Sequence, residues 1–598
     1  MKNKSRLLLL FLPLLILPLN GCGTNQPTSS TSQETVKYAN VNFYDGDRTT
    51  ILYTAKVKNG EKPVYVGKTP TKKSNGTVYY VFSKWSLNLN DPTLFMNDTD
   101  VYSLFTTAPN DTDYSYDQLD DGSYEILSYL GEDTEIVLPS YYNGVKIKAI
   151  GASAFAGNIT MTGIDISGYY EDIEASAFFQ CTSLTKVTIS SDLKSIGERA
   201  FYNCTALQEI NIPETVTSIG DYCFSSTVIE EMILPEGLNN LGSYAFMSCY
   251  DLTSVNIPKS LTAIKDGTFM NCMALPKIEI PETITYLGKR VFYNCPELQI
   301  CNLPSKVTVL DDGLFNGCRK LGELNFPYGI TKIGDETFSY CISLKNLDIL
   351  NSSDTLTSIG SGAFNNCEVM TKMIVPKGVT AISSYAFSNM LNLNQFETRG
   401  TVTSIGYSAF ANDTNLQSIT LSSSLQSIDK LAFYNSGLTN VTIPTSVGTL
   451  KGEAFQNCKT LESVIINGRI SSIPESAFDG CVKLDYISFP NSVSSIGSYA
   501  FRKTLLDDLE LASVTSFKAF ALYGMDYLDP LKFVLPKTTT YLGLGFLSMC
   551  LKYLSNPTLK YEGTKAEWSL IEKDSSWSLL RGETKITKVS CSDGDLDI

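Results

Sequence analysis

The chain has 598 residues, a formal net charge of −15 and a sequence pI of about 4.8. It is 43% hydrophobic and 18% charged, which is typical of folded protein, and it is too long for one compact core. The acidic balance argues against a nucleic-acid partner, because the chain repels phosphate backbones. The sequence contains no histidine, which excludes Ser-His-Asp and Cys-His catalysis and imidazole metal sites. We therefore expect no catalytic residues, no metal and no cofactor.

The N-terminus has the pattern of an export signal followed by a tether. A basic stretch, residues 2–6, precedes an apolar run, 7–19, which is too short to span a membrane. The run ends in Leu19-Asn20-Gly21-Cys22, which resembles a bacterial lipobox. The resemblance implies that 1–21 is a lipoprotein signal peptide and that Cys22 is lipidated. The alternative is an ordinary signal peptide with an incidental cysteine. Residues 22–35 are polar and predict a flexible tether.

Residues 36–107 have the pattern of a small β module. Apolar and polar residues alternate in short runs at 41–44, 51–53, 64–66, 78–82 and 101–105, with turn residues between them. This pattern predicts an antiparallel sheet. We expect Trp85 in its core, and a turn rather than a calcium site at Asp45 and Asp47. The run V-x-F-Y-D-G, K-T-P-T, V-F-S-K-W-S, D-V-Y-S-L-F resembles the Listeria–Bacteroides repeat, the B-repeat of internalin-like proteins. That resemblance implies a β-grasp-like module that acts as a spacer or interaction unit.

The rest of the chain is a tandem repeat. Residues 108–122 read as a polar connector, 123–555 as the repeats, and 556–598 as a C-terminal cap. The repeats are marked by a phenylalanine that recurs every 23 residues, with two steps of 22 and one of 26. A fixed period of this length predicts a solenoid in which each unit covers the next. These phenylalanines are Phe155, Phe178, Phe201, Phe224, Phe246, Phe269, Phe292, Phe315, Phe338, Phe364, Phe387, Phe410, Phe433, Phe455, Phe478 and Phe501.

The sequence of each repeat divides into three sections, and we expect each section to form one wall of a coil. The section L-x-x-I-x-I predicts a short strand, which ends at a proline that cannot donate to the ladder. The section V-x-x-I-G predicts a second wall, where glycine is expected to permit a backbone conformation that a side chain would resist. The section x-x-A-F-x-x-C predicts one or two helical turns with a buried phenylalanine. The unit after Phe501 is degraded: it lacks the glycine and the phenylalanine register, which return at Gly543 and Phe546.

The repeat closely resembles the BspA-type, or Treponema-type, leucine-rich repeat, L-x-x-(I/V)-x-I-P-x-x-V-x-x-I-G-x-x-A-F-x-x-C. This resemblance implies a β-rich α/β solenoid, a right-handed superhelix of about 17 to 18 coils with short strands and short helical turns. We expect a loop at 351–353, where one repeat is three residues longer. The segment around Trp568 and Trp577 should close the last coil, because a solenoid must cover its terminal apolar face.

Ten of the 15 cysteines occupy one slot of the repeat, three residues after the phenylalanine. Equivalent side chains in stacked coils point in parallel, whereas a disulfide needs side chains that point at each other. The slot also accepts Thr227, Met390, Asp413 and Ser436. We therefore interpret it as a packing slot that holds reduced, half-buried thiols.

The two positions on either side of the central apolar strand residue form the strand face, the usual binding surface of leucine-rich solenoids. It is polar and poor in aromatic residues, with Ile233, Ile374 and Ile465 as apolar exceptions. The predicted binding residues are Lys186, Glu209, Asn211, Glu231, Asn256, Lys277, Glu279, Glu323, Asn325, Asn346 and Lys372. A solvated face without a ligand is the alternative.

The lipobox resemblance implies an exported protein, lipid-anchored to the bacterial membrane through Cys22 and facing outside. The repeat family gives the expected role. It implies adhesion to host matrix or other cell-surface proteins. The alternative is a structural or scaffolding protein of the envelope without a host ligand. A carboxylate enzyme would need two acids that converge in a pocket.

Overall fold

The computed structural model describes residues 37–59, 61–68, 70, 72, 80–107, 113–189, 191–345, 347, 355–555 and 557–598. The chain divides into two compact units, 1–108 and 109–598. The predicted signal peptide, the tether with Cys22, Asn346 and the predicted loop at 351–353 lie outside the described residues.

The first unit is a four-stranded sheet. Its strands are β1 Tyr38–Tyr44, β2 Ile51–Lys58, β3 Tyr80–Trp85 and β4 Thr99–Thr107, with a 3₁₀ helix at Pro92–Phe95. The order is β2-β1-β4-β3, and the central strands β1 and β4 run parallel. The sheet is therefore mixed and not wholly antiparallel as predicted. The predicted strand at 64–66 is wrong, because these residues pair with no described strand.

The core of this unit forms around aromatic side chains. Phe43 is fully buried, and the Trp85 ring packs edge-on against it with 4.8 Å between centroids. The prediction of a core tryptophan is thus confirmed. Asp47 accepts hydrogen bonds from the backbone N–H groups of Thr49 and Thr50, both at 2.8 Å, which confirms the predicted turn.

The second unit is built almost entirely from very short strands. It begins with β5 Tyr114–Gln118, β6 Tyr124–Tyr129, β7 Glu135–Val137, β8 Tyr141–Tyr142 and β9 Val145–Ile150. The predicted connector therefore contributes a strand, β5, which pairs with β6. The strands of the coils are β10 Gly163–Ile166, β11 Asp172–Ile173, β12 Lys186–Ile189, β13 Ser195–Ile196, β14 Glu209–Ile210, β15 Ser218–Ile219, β16 Glu231–Met232, β17 Asn240–Leu241, β18 Ser254–Val255, β19 Ala263–Ile264, β20 Lys277–Ile278, β21 Tyr286–Leu287, β22 Ile300–Asn302, β23 Val309–Leu310, β24 Glu323–Asn325, β25 Lys332–Ile333, β26 Ser358–Ile359, β27 Lys372–Val375, β28 Ala381–Ile382, β29 Gln395–Thr398, β30 Ser404–Ile405, β31 Ser427–Ile428, β32 Asn440–Ile443, β33 Thr449–Leu450, β34 Ser463–Ile466, β35 Ser472–Ile473, β36 Tyr486–Ser488, β37 Ser495–Ile496, β38 Ser516–Phe517, β39 Val534–Leu535 and β40 Tyr541–Leu542.

The C-terminal residues continue the coils and then close them. Their elements are α1 Leu551–Ser555, β41 Thr558–Tyr561, α2 Lys565–Ser569, β42 Glu572–Lys573, β43 Leu579–Arg581, β44 Thr584–Lys585, β45 Lys588–Cys591 and β46 Gly594–Asp597. The sheet β39-β41-β45-β46 ends in a strand that runs antiparallel to its neighbour. The Trp577 ring stacks on Phe546 of the last coil, and Trp568 lies 5.3 Å from Trp577 between centroids.

The coils stack through two parallel ladders of strands. The first ladder uses the L-x-x-I-x-I sections, as in β10-β12-β14, where Lys186 is paired in register with Glu209. The second ladder uses the S-I-G sections, where Ser195 is in register with Ser218. Because equivalent residues of successive coils lie side by side, their apolar side chains form one continuous core. The chain is therefore a β-solenoid.

The third wall, x-x-A-F-x-x-C, is a chain of turns and not the predicted helix. Residues two before and two after the phenylalanine have left-handed backbones, as at Arg199 (φ 54°) and Asn203 (φ 60°). The backbone N–H groups of Arg199, Phe201 and Asn203 donate to carbonyls of the next coil at 2.8–2.9 Å, while Tyr202 donates within its own turn. A helix would bond its N–H groups internally, so this turn wall adds hydrogen bonds between coils that a helix could not supply. The α/β character is therefore not borne out.

Asparagine suits the left-handed position two residues after the phenylalanine, because its short polar side chain tolerates positive φ. These asparagines also bond one another along the turn wall. The Asn294 Nδ2 donates to Asn271 Oδ1 at 2.9 Å, and Asn412 donates likewise to Asn389 at 2.8 Å. The local conformation and the stacking of coils thus favour the same residue.

The unit predicted to be degraded is a regular coil with different side chains. Phe517 is in register with Ile496 of the second ladder, and Phe520 and Gly524 have the positive φ of the turn wall. Leu522 therefore occupies the phenylalanine slot of this coil, and Leu547 occupies the slot of the next coil. The prediction that Phe546 fills that slot is wrong, because Phe546 lies one residue before it. Apolar side chains therefore still fill the core of this coil, although its sequence no longer matches the repeat pattern.

The glycine of the S-I-G section serves close approach between coils. A Cβ built on Gly242 would lie 2.3 Å from the backbone nitrogen of Asp221 in the preceding coil, and Gly197 is similarly enclosed. Neither glycine has the left-handed backbone that only glycine adopts readily. The predicted reason, an unusual conformation, is wrong: the reason is lack of space for a side chain.

Candidate protein-binding face

The first ladder brings the predicted binding residues onto one face. The side chains of Lys186, Glu209, Glu231, Lys277 and Glu323 are all exposed. In-register pairing places residues of successive coils next to one another, since Ile300 is paired with both Lys277 and Glu323. Asn211, Asn256, Glu279, Asn325 and Lys372 are exposed on the same face, whereas Asn346 is outside the described residues. The apolar exception Ile374 is buried.

Some of the exposed charges on the strand face form ion pairs between coils. Lys186 Nζ lies 2.6 Å from Glu209 Oε2, and Lys345 Nζ lies 2.6 Å from Glu323 Oε1. The bond from Lys186 to Glu209 raises the pKa of Lys186, and the bond from Lys345 lowers the pKa of Glu323. Both pairs are solvated, so they contribute little to stability and are screened by salt.

Two predicted binding residues hold coils together. Asn211 accepts from the backbone N–H of Ile189 at 2.8 Å and donates to the carbonyl of the same residue at 2.7 Å. Asn256 bridges the backbone of Leu234 in the same way, at 2.7 and 2.8 Å. Their amides are occupied, so a contribution of either side chain to binding would have to compete with the backbone of the preceding coil.

Three open depressions lie on the strand face. The first, about 630 Å³, is lined by residues of 186–188, 208–211 and 230–231. The second, about 490 Å³, is lined by Glu236, residues of 253–259 and of 277–281. The third, about 570 Å³, includes Ile300, Lys320, Glu323 and Lys345. Eight of the eleven predicted binding residues line one of these depressions: Lys186, Glu209, Asn211, Glu231, Asn256, Lys277, Glu279 and Glu323.

Sequence reasoning missed several charged residues of these depressions. Glu230 precedes a strand, Lys259 and Glu236 follow one, and Lys345 begins the next coil. These charged residues lie at the corners next to a strand and line the same face as the strand residues. Their position in the repeat could therefore have identified them.

The repeated cysteines are packing residues that donate weak hydrogen bonds. All 14 cysteines in the described residues are free and buried. The Cys204 Sγ lies 3.1 Å from the carbonyl oxygen of Phe178 in the preceding coil, and the other repeat cysteines follow this pattern. Burial raises the pKa of the Cys295 thiol to about 12, so it stays protonated and unreactive at neutral pH.

Asp413 stands in the cysteine slot and carries a buried carboxyl group. Its Oδ1 accepts from the backbone N–H of Met390 at 2.9 Å, but its Oδ2 has no partner in the described part of the chain. Burial therefore raises the pKa of Asp413 well above its usual value. A raised folded pKa stabilises the fold fully below the unfolded pKa of about 4, and this contribution is lost as the pH rises toward the folded pKa.

We expect Asp413→Asn to stabilise the solenoid at pH 7, because the amide is neutral in both states whereas the buried carboxyl group must take up a proton when the chain folds, at a cost of about 1.4 kcal/mol for each pKa unit of the shift that lies below pH 7. The variant should also lose part of the fall in stability between pH 4 and pH 7. Urea unfolding at several pH values measures both effects. Asp485→Asn, at an exposed position, is the control and should change neither. A variant as stable as the parent at every pH would contradict the assignment.

The described residues offer no metal site and no membrane span. No group of three or more Cys, Asp or Glu side chains within the described ranges could hold a metal ion. No helix of the described residues is long and apolar enough to cross a membrane.

Stacked parallel strands, a continuous core and an exposed strand face define a leucine-rich-repeat solenoid, a class of fold that is typically a non-enzymatic binding scaffold. The profile of the BspA type leucine rich repeat region matches residues 134–253, 239–356, 346–462 and 449–566. The chain therefore belongs to the BspA-type leucine-rich-repeat family. No curated protein sequence matches the chain.

Solved structures of bacterial leucine-rich-repeat proteins are similar to the chain. A leucine rich cell surface protein from Faecalibacterium prausnitzii A2-165 is 24% identical, with 64% of this chain and 94% of that chain covered and a TM-score of 0.38. A leucine-rich repeat protein from Bacteroides ovatus is 20% identical, covering 78% and 97%, with a TM-score of 0.32. The pneumococcal vaccine antigen PcpA is 15% identical, covering 79% and 97%, with a TM-score of 0.30.

Proposed function

We propose that the chain is a lipid-anchored bacterial cell-surface protein that binds other proteins through the strand face of its solenoid. Its partners would be host matrix or neighbouring cell-surface proteins, and its role adhesion. The observation that carries the proposal is the strand face itself, where three open depressions and exposed charges extend over coils that the first ladder aligns. An exposed polar face on a scaffold of stacked repeats supports binding to another protein.

The proposed binding is tested with the full chain and immobilised fibronectin, laminin and type I collagen. We expect binding to at least one of them, weakened tenfold or more in a variant with four alanines on the strand face, at Glu209, Glu231, Lys277 and Glu323. A control with the same change in charge replaces Asp192, Asp251, Lys306 and Glu475, which are exposed and line none of the three depressions. Absence of binding would favour the scaffolding role, and equal loss in both variants would contradict the strand face.

The proposed anchor is tested by metabolic labelling. A bacterial host that expresses the full chain should incorporate labelled palmitate into it, because the lipobox-like Leu19-Asn20-Gly21-Cys22 places a cysteine at the acylated position. The Cys22→Ala variant should carry no label. Label that persists in this variant, or none in the parent chain, would contradict the lipid anchor.

A further inference from the structure

The first ladder is interrupted at several places, and two of these interruptions flank one pair of strands. Among the described strands, β14 does not pair with β16, and β18 does not pair with β20, so β16 and β18 form a two-stranded sheet of their own. The depression of about 630 Å³ lies at the first interruption, and that of about 490 Å³ at the second. Residues 231–233 and 254–256, which contain this pair of strands and lie between the two hollows, are called the ridge below.

Ile233 is an exposed apolar side chain of this ridge, with 77% of its surface accessible. The equivalent residues of the coils before and after are Asn211 and Asn256, whose amides bridge to the preceding coil. Isoleucine can neither donate nor accept, so it forms no such bridge. An exposed β-branched side chain that replaces a structural amide gains nothing for the fold, whereas its apolar surface would gain free energy if a partner covered it.

Several charges next to the ridge have no ion-pair partner in the described chain, although Lys186 and Glu209, which also line the first hollow, are paired with each other. Glu230 and Glu231, beside the first hollow, have no ion-pair partner within the described chain, nor do Lys277 and Glu279 beside the second. Further along the face, by contrast, Lys345 is paired with Glu323, and Lys320 with Glu297 at 2.6 Å. Charges already paired offer less to a partner than charges that are not.

We propose that the ridge of β16 and β18 is the centre of the binding surface, and that it recognises a protein segment with a basic and an acidic side chain on either side of an apolar one. The basic side chain would face Glu230 and Glu231, the apolar one would cover Ile233, and the acidic one would face Lys277. Glu231 and Lys277 are two coils apart, about 10 Å at the usual strand spacing, which an extended segment spans in about three residues. This inference rests on the proposed function of the strand face.

The test selects 12-residue peptides from a displayed random library on the immobilised full chain. We expect enriched peptides that carry a basic and an acidic residue around an apolar one, with binding that weakens as salt rises. Their affinity should fall tenfold or more for Ile233→Asn and for the double variant Glu230→Lys, Glu231→Lys. Ile465→Asn is the matched control, because Ile465 occupies the same repeat position as Ile233, is also exposed and lines none of the three depressions, and it should bind within twofold of the parent.

Ile233→Asn restores the residue type of the neighbouring coils, so we expect it to fold at least as well as the parent, which urea unfolding checks. Failure to enrich any peptide, enrichment without the charge pattern, or equal binding to the parent and Ile233→Asn would overturn the inference. Matrix binding that survives Ile233→Asn and Glu230→Lys, Glu231→Lys would refute the ridge but leave the proposed function intact. Peptides that bind the ridge while no matrix protein binds would refute the proposed partners but support the ridge.

Discussion

Phe292→Ala should lower the free energy of unfolding by about 3–5 kcal/mol, the cost of truncating a fully buried aromatic side chain. The Phe292 ring stacks on Phe269 and Phe315 with centroids 5.9 and 5.5 Å apart, so its loss affects the interfaces with both neighbouring coils. In a solenoid each coil contacts only its neighbours, and no distant residue can fill the cavity. Urea unfolding followed by circular dichroism measures the change.

The matched control is Tyr328→Ala, two coils further along the chain. Tyr328 is also aromatic, but 78% of its surface is accessible, so we expect a change within about 0.5 kcal/mol. Hydrogen exchange should show that the loss in Phe292→Ala is greatest in the coils next to it, because stability in a solenoid is a sum of neighbour terms. Unchanged unfolding would mean that the phenylalanine spine is not the core of the solenoid.

Trp568→Ala should destabilise the C-terminal end of the solenoid by about 3–5 kcal/mol. Only 4% of the Trp568 surface is accessible, and its ring contacts Trp577 and Tyr561 with centroids 5.3 Å apart in each case. Trp577 in turn covers Phe546, so removal of the Trp568 ring should loosen the packing over the last coil. Limited proteolysis should cleave 557–598 faster, and dyes that bind apolar surface should bind more.

The control variant for Trp568→Ala is Leu570→Ala, which truncates a side chain in the same short segment. Leu570 lies two residues from Trp568 but has 83% of its surface accessible, so its truncation should be close to neutral. The helix α2 keeps its cap in both variants, since Thr564 and Glu567 bond each other's backbone N–H groups. Equal proteolysis of the two variants would show that 556–598 does not protect the last coil.

The repeat could be located from the sequence, but the form of the turn wall could not. Phe and Cys three residues apart are compatible with one face of a helix, and that spacing alone favoured helical turns. The structure shows that Arg199 and Asn203 have left-handed backbones and that their N–H groups donate to the next coil, which a helix would not allow. Gly242 is a similar case, because the Asp221 backbone that excludes a side chain belongs to another coil.

The period, the buried slots and the family were determined by the sequence, because each coil repeats the same few contacts with its neighbour and those contacts constrain the same positions every 23 residues. Which outward residues are available for binding was decided by the tertiary structure alone. Asn211 and Ile233 occupy equivalent positions, yet one bridges two coils while the other is exposed between two hollows. The residue type decides that isoleucine cannot bridge, but only the stacking of coils shows that the Asn211 amide lies against the Ile189 backbone and is occupied.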